Sequence, residues 1–420
     1  MKRRQFLQVS SVCSGAALAS AVFASGASSV AQGQPLNNTL PRFAVISDTH
    51  FGGGAGGGIP RNIRVVQNLL RQGKLDAIII IGDLTNNGQA AQYDQLLKVY
   101  KDDKIVPASQ RVVFLMGNHE FYNKEGAEKN YAEKIGQPKH QYIDIKGYPF
   151  ITVSMSGGSV NDYNAEGQQF LKESLADADK KYPDKPIFVF FHIPPAKTSY
   201  GSHSWGNTVL PPYLEKYPQV VVFNGHTHTP VGDQRMIFQD KYTAINDGSC
   251  FYACIEEKEV SNGISPEGSG DVQDGLIVNV HAGSKLHIER WDLRRNVVYT
   301  PWDVDWKKKN YREVSDKESP KFADSAKPKV SVSGSGALVT YPQATDSDIV
   351  FRYIIDIKAG DETVASYKQF SQFYLTIQQP EKLTVEFNDL PKGKQLVASV
   401  KALDSFGNVS AAVVSEPFTV

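Results

Sequence analysis

Apolar positions in the first three hundred residues switch repeatedly between two periods. Residues 43–46 and 78–81 are short, continuously apolar runs, the pattern of strands covered on both faces. Between them Ile63, Val66, Leu69 and Leu70 recur at helical spacing after Pro60, which predicts an amphipathic helix. The alternation continues with a helix over 90–100, strands at 112–116 and 151–155, a helix over 167–181, and strands at 187–191 and 220–223. Past position 240 only strand-like segments follow, at 241–245, 276–281 and 285–291. Residues 301–327 are charged and irregular and read as a linker, with Trp302, Trp306 and Tyr311 beside three lysines. From Pro328 the helical period disappears. Runs rich in Val, Ile, Tyr and Phe at 329–332, 337–341, 350–357, 363–367, 373–377, 383–387 and 396–403 have the spacing of a β-sandwich. The pattern predicts an α/β domain over 42–300 and a small all-β domain over 328–420.

Composition adds boundaries. An apolar fraction of 41% is that of a globular chain, and 45 basic against 45 acidic residues leave no global field to hold nucleic acid. The first residues read as an export signal: Lys2, Arg3 and Arg4 precede Phe6 and Leu7, and small and apolar residues continue through about Ala24. The adjacent arginines resemble a twin-arginine leader, and Ser29-Val30-Ala31 places cleavage after Ala31. Localisation is therefore expected to be periplasmic or extracellular, without a transmembrane anchor after cleavage. Loss of the leader removes Cys13 and leaves Cys250 and Cys254, read as two buried thiols rather than a disulfide framework.

Seven residues with metal-ligating side chains stand in five clusters: Asp48 and His50 in SDTH, Asp83 in GDLTNNG, Asn118 in MGNHE, His192 in FFHIPP, and His226 and His228 in NGHTH. Most follow a strand-forming run, so aligned strands would deliver them to one edge of a sheet. In extended backbone, residues two apart share a side, which would aim Asp48 with His50, and His226 with His228, into one site. By the same rule His119 would point away from the metal of its neighbour Asn118. The tract from Gly52 to Gly58, followed by Arg61 and Arg64, fits no P-loop and reads as a flexible rim. The stretch 198–207, with Tyr200 and Trp205, is a candidate cleft lining, whereas His140, His203, His281 and His287 match no cluster.

In this order and setting the five strings resemble the calcineurin-like metallophosphoesterases over about residues 43–300. The resemblance implies a four-layer α/β/β/α sandwich of two mixed sheets. It assigns one metal to Asp48, His50, Asp83 and His228, and a second to Asn118, His192, His226 and again Asp83, which would bridge with its two oxygens. It implies a phosphomonoesterase or phosphodiesterase acting by in-line attack of a metal-bound hydroxide, with His119 as general acid and Glu120 orienting its ring. The donor set of four imidazoles, two carboxylates and one amide suits two divalent ions of manganese, iron or zinc. Purple acid phosphatases carry a Tyr ligand three residues after the bridging Asp, and Asn86 stands there, so no ferric–tyrosinate site is expected. The expected partner is a small phosphoester, with nucleotides among the candidates and the oligomeric state left open. Residues 390–408, with Leu390-Pro391 and Asp404-Ser405-Phe406-Gly407-Asn408, look like the end of a fibronectin type III module. The alternative from another class is a retired core serving as a binding or adhesion scaffold through that module.

Overall fold

The structure is a computed structural model and describes residues 39–54, 57–123, 126–255, 264–311 and 316–420. The expected export leader lies outside the described residues. In chain order the first strands are β1 (Arg42–Ile46), β2 (Ala77–Ile81), β3 (Val112–Leu115), β4 (His140–Ile145), β5 (Tyr148–Val153) and β6 (Ile187–Phe190). They are followed by β7 (Val220–Asn224), β8 (Ile237–Gln239), β9 (Thr243–Asn246), β10 (Asp274–Val280), β11 (Lys285–Asp292) and β12 (Val297–Asp305). The longer helices are α1 (Ile59–Arg71), α2 (Ala90–Tyr100), α3 (Ala127–Ile135) and α4 (Ala165–Lys181).

Two six-stranded mixed sheets result, with orders β12-β11-β10-β1-β2-β3 and β4-β5-β6-β7-β9-β8. The side-chain period of two explains how one apolar run builds two layers. Phe43, Val45, Ile79 and Ile81 enter the core between the sheets, while Ala44, Ile46, Ile78 and Ile80 face outward. That outer face is covered by Val65, Val66 and Leu69 of α1 and by Tyr93 and Leu96 of α2. The second sheet is covered by Leu171 and Leu175 of α4. The four-layer α/β/β/α sandwich is thus what the sequence predicts. Between the sheets the Phe43 ring meets Phe150 and Phe188 edge-on at 4.9 and 5.0 Å.

Strand β12 runs five residues past the expected end of the domain, because Trp302 and Val304 bury themselves in the inter-sheet core between charged neighbours. Trp302 therefore belongs to a core strand, while Lys307, Lys308 and Lys309 follow in a turn with Lys307 and Lys308 exposed. Helix α3 and strand β4 are absent from the sequence prediction; both expose much of their surface and carry few apolar positions.

The remaining strands, β13 (Lys329–Ser333), β14 (Gly336–Pro342), β15 (Val350–Ala359), β16 (Glu362–Phe370), β17 (Lys382–Phe387), β18 (Val397–Asp404) and β19 (Val413–Val414), form antiparallel sheets of three and four strands. Their shared core contains Val339, Tyr341, Tyr353, Ile355, Leu396 and Val400. The predicted strand at 373–377 is instead a 3₁₀ segment, Phe373–Gln378, with Thr376 at φ 49°. No helix among the described residues is long and apolar enough to cross a membrane.

Candidate metal centre

Strands β1, β2 and β3 are parallel and in register, with Ile46 beside Ile80 and Ile80 beside Phe114. In the second sheet Phe190 lies beside Phe223, and Asn224 beside Asn246. The segments leaving these carboxyl ends carry Asp48 and His50, Asp83, Asn118, His192, and His226 and His228. All seven predicted donors meet there. They do so by a route different from strand alternation: Asp48, His50, Asp83, His226 and His228 have φ of 54°, 42°, 47°, 70° and 55°. These are left-handed residues, each of which turns the chain sharply so that donors two apart converge.

The donors form two groups with ligand atoms within 4.8 Å of one another, Asp48–His50–His228 and Asp83–His192–His226, and a third, His50–Asp83–His119, overlaps both. Each carboxylate divides its oxygens between scaffold and site. Asp48 Oδ2 accepts from Ser47 Oγ and from the His226 N–H, leaving Oδ1 3.0 Å from His228 Nε2 and 3.7 Å from His50 Nε2. Asp83 Oδ1 accepts from the His119 N–H at 2.9 Å, while Oδ2 lies 3.1 Å from His192 Nε2 and 3.7 Å from His50 Nε2. Asp83 Oδ2 therefore faces His50 of one group and His192 of the other. The approach needs small residues: a Cβ on Gly117 would fall 2.3 Å from Asp83 Oδ1, and one on Gly225 would fall 2.5 Å from Asp48 Oδ2.

Ring orientation is fixed from behind. His192 Nδ1 contacts the Ile81 carbonyl at 2.8 Å and His228 Nδ1 the Tyr252 carbonyl at 3.1 Å, which selects the tautomer with Nε2 free toward the site. Asn118 donates through Nδ2 to the Tyr122 hydroxyl at 3.1 Å, turning its Oδ1 toward the site. Asn118 Oδ1, His192 Nε2 and both His50 ring nitrogens are buried without a hydrogen-bond partner. Buried polar atoms are rarely left so, and this donor set fits divalent cations.

Burial by itself would raise the Asp48 and Asp83 carboxyls, yet His228 and His192 for the first and His192 and His119 for the second hold both below the usual range. Burial likewise disfavours a charged His192, but the facing Asp83 and Asp48 win and push it up to about 10. His226, buried and beside His192, falls to about 3.

Two sequence expectations change. Glu120 does not touch the His119 ring: its Oε1 accepts from the Thr85 N–H and hydroxyl at 2.8 and 3.0 Å, and its Oε2 from the Gly117 N–H at 2.7 Å. It clamps the Asp83 and Asn118 loops together. His119 Nδ1 instead meets the Asn86 carbonyl at 3.0 Å. Nor does His119 point away, because Asn118 is helical and His119 opens a 3₁₀ turn. Its ring lies 4.4 Å edge-on to His50, with Nε2 3.9 Å from Asp83 Oδ2.

A cavity of about 330 Å³ opens over the donors, lined also by Tyr122, Val160, Trp205, Tyr252 and Cys254. Trp205 sits in a short helix, α5 (Ser202–Trp205), 6.2 Å from the His226 ring, so part of the 198–207 stretch does line the cleft. Tyr200 does not; its ring packs against Arg235 and Phe351. Tyr122 and Tyr252 escape the sequence reading because neither belongs to a ligand string. Cys250 and Cys254 are buried and not joined in a disulfide, as expected.

The model of the calcineurin-like phosphoesterase family matches residues 41–230, so the chain carries a domain of that kind. A probable glycerophosphodiester phosphodiesterase of Arcobacter nitrofigilis is 28% identical over 168 residues, 37% of this chain and 57% of that protein. A purple acid phosphatase from yellow lupin (Lupinus luteus) seeds is 17% identical with a TM-score of 0.47, over 63% of this chain and 54% of the other. A structure of PhoD is 12% identical with a TM-score of 0.37, over 63% of this chain and 71% of the other. The chain thus spans little more than half the length of the first two.

Proposed function

We propose that the protein is an exported, dinuclear metal-dependent hydrolase of phosphoric esters, a phosphomonoesterase or phosphodiesterase. The observation that carries this reading is the meeting of sequence-distant donors, six of them in two groups and Asn118 beside Asp83, His226 and His228 in the cavity, several of whose atoms are buried and unpartnered. Asp48, His50, Asp83 and His228 would hold one ion and Asn118, His192, His226 and Asp83 the other. Manganese, iron or zinc ions bound there would supply an acidified water and Lewis-acid charge for phosphoryl oxygens.

The chain's own groups do the rest. The Asn86 carbonyl fixes the His119 tautomer with its proton on Nδ1, so Nε2 faces the cavity and, when protonated, delivers a proton to a departing ester oxygen. Trp205, Tyr122 and Tyr252 wall the cavity. Export is supported by the arginine-led leader, and the C-terminal sheets are compatible with a fibronectin type III-like module.

The test is hydrolysis of p-nitrophenyl phosphate against bis-p-nitrophenyl phosphate by mature protein stripped of metal and reloaded with manganese, zinc or iron. Metal-dependent turnover of one ester over the other supports the reading and separates monoester from diester chemistry. The A. nitrofigilis similarity makes the diester the first substrate to try. No turnover with two ions bound per chain favours the scaffold alternative.

A further inference from the structure

Beside the cavity over the donors lies a larger cleft that the reaction above leaves unused. Its volume is about 760 Å³. Tyr252 lines both spaces, so they adjoin at that side chain. Phe251 forms part of the cleft wall and stacks on His50 at 4.6 Å, which puts the cleft one ring away from a metal donor.

The remaining lining is charged. Arg61 and Arg64 lie one turn apart on α1, and Arg294 faces them with Asp271. Arg61 serves as frame, donating to the backbone carbonyls of Phe251, Gly270 and Val272, with its Nε buried and unpartnered. Arg294 pairs with Asp271 at 3.2 Å. Arg64 is exposed and forms no ion pair among the described residues. Three arginines against one aspartate leave two formal positive charges in surplus. Burial, and then Arg294 beside it, lower the Arg61 guanidinium below its usual range. Like charges gathered in a concave site are relieved by an anion, and guanidinium forks match phosphate oxygens.

We propose that this cleft holds a second phosphate, borne on the organic part of a small-molecule substrate whose reacting phosphoryl group lies over the metal donors. The inference rests on the phosphoester reading and narrows it to compounds carrying two phosphoryl groups. The surplus charge matches a phosphate dianion, and a cleft of this size accepts a nucleoside-sized body between the two groups.

The experiment compares adenosine 5′-phosphate with adenosine 3′,5′-bisphosphate as inhibitors of the metal-loaded protein acting on its preferred nitrophenyl ester. Wild type should bind the bisphosphate roughly tenfold or more tighter, the scale of a charge-assisted hydrogen bond. In the Arg64→Gln/Arg294→Gln double variant the ratio should fall toward one, and Arg64→Lys should retain most of it. Arg61 is left intact because it holds the Phe251 loop. Equal inhibition by both nucleotides in wild type, or a ratio that survives in the double variant, overturns the proposal. Should neither nitrophenyl ester turn over, the hydrolase reading fails separately, and calorimetric titration of the same two nucleotides still decides the cleft.

Discussion

Five of the seven donors occupy left-handed backbone, a conformation that costs a non-glycine residue roughly 1–2 kcal/mol. Such strain persists only where surrounding structure imposes it. Here carboxylate oxygens bonded to the N–H groups of His119 and His226 hold the turns. Residue types and local strings were therefore readable from the sequence, whereas the turns that bring them together were not, since no side-chain pattern encodes a positive φ at Asp or His. Glu120 shows the same limit: its neighbour in sequence is His119, but its neighbours in space are Thr85 and Gly117. The two residues should separate in experiment. Glu120→Gln places an amide N–H against backbone N–H groups, and metal affinity should fall roughly 10–100-fold, as for lost supports of metal ligands, measured by equilibrium dialysis with metal analysis. His119→Ala should keep both ions and lose roughly 10²–10⁴ in kcat. Equal metal loss in both variants would make His119 a ligand, consistent with its place beside His50 and Asp83.

At the scale of elements, β2 and α2 are legible because each buries a regular stripe: Ile79 and Ile81 against the other sheet, Tyr93 and Leu96 under the helical layer. Strand β4 is half-exposed and polar at an edge, and α3 shows only Ala127, Tyr131 and Ile135 to the core, too sparse a signal for a period. The Phe373–Gln378 segment has a strand's composition, but tertiary contact overrides it: Phe373 and Tyr374 bury themselves against Ala253, Ile255 and Val272 of the first domain. Packing of sheet on sheet is what holds the donor-bearing edges opposite each other. Phe43 is central to it, with its ring against Phe150, Phe188, Phe223 and Phe190 at 4.9 to 6.1 Å. Phe43→Ala should cost about 3–5 kcal/mol in denaturant unfolding. A loss below about 1 kcal/mol would mean that the sheets close over the gap and that this ring is not their keystone.

For the whole molecule, the C-terminal sheets are joined to the donor-bearing half by more than a tether. Tyr374 donates to the Glu267 carbonyl at 2.8 Å, Thr376 to Asp292 at 2.8 Å, and Phe351 lies under the Arg235 guanidinium at 4.6 Å. Asp348 sits at this contact, and burial, with Asp233 nearby, raises its carboxyl from 3.8 to about 7. Below 3.8 it is protonated folded or unfolded; between 3.8 and about 7 only the unfolded chain ionises, so stability is lost as pH rises through that window. Asp348→Asn should therefore gain in Tm relative to wild type between pH 4 and pH 8, by differential scanning calorimetry, and a pH-independent difference would contradict the raised carboxyl. The same contact bears on the candidate site. The segment that supplies Phe251 and Tyr252 to the site continues into Ala253 and Ile255, which are covered by Phe351, Phe373 and Tyr374. A chain ending after Tyr311 keeps β12 whole but strips that cover. It should unfold at lower temperature and raise KM for the preferred ester more than it lowers kcat, because the donors stay while the wall beside them loosens. Unchanged Tm and KM would show that the sandwich is an independent module and that the wall stands without it.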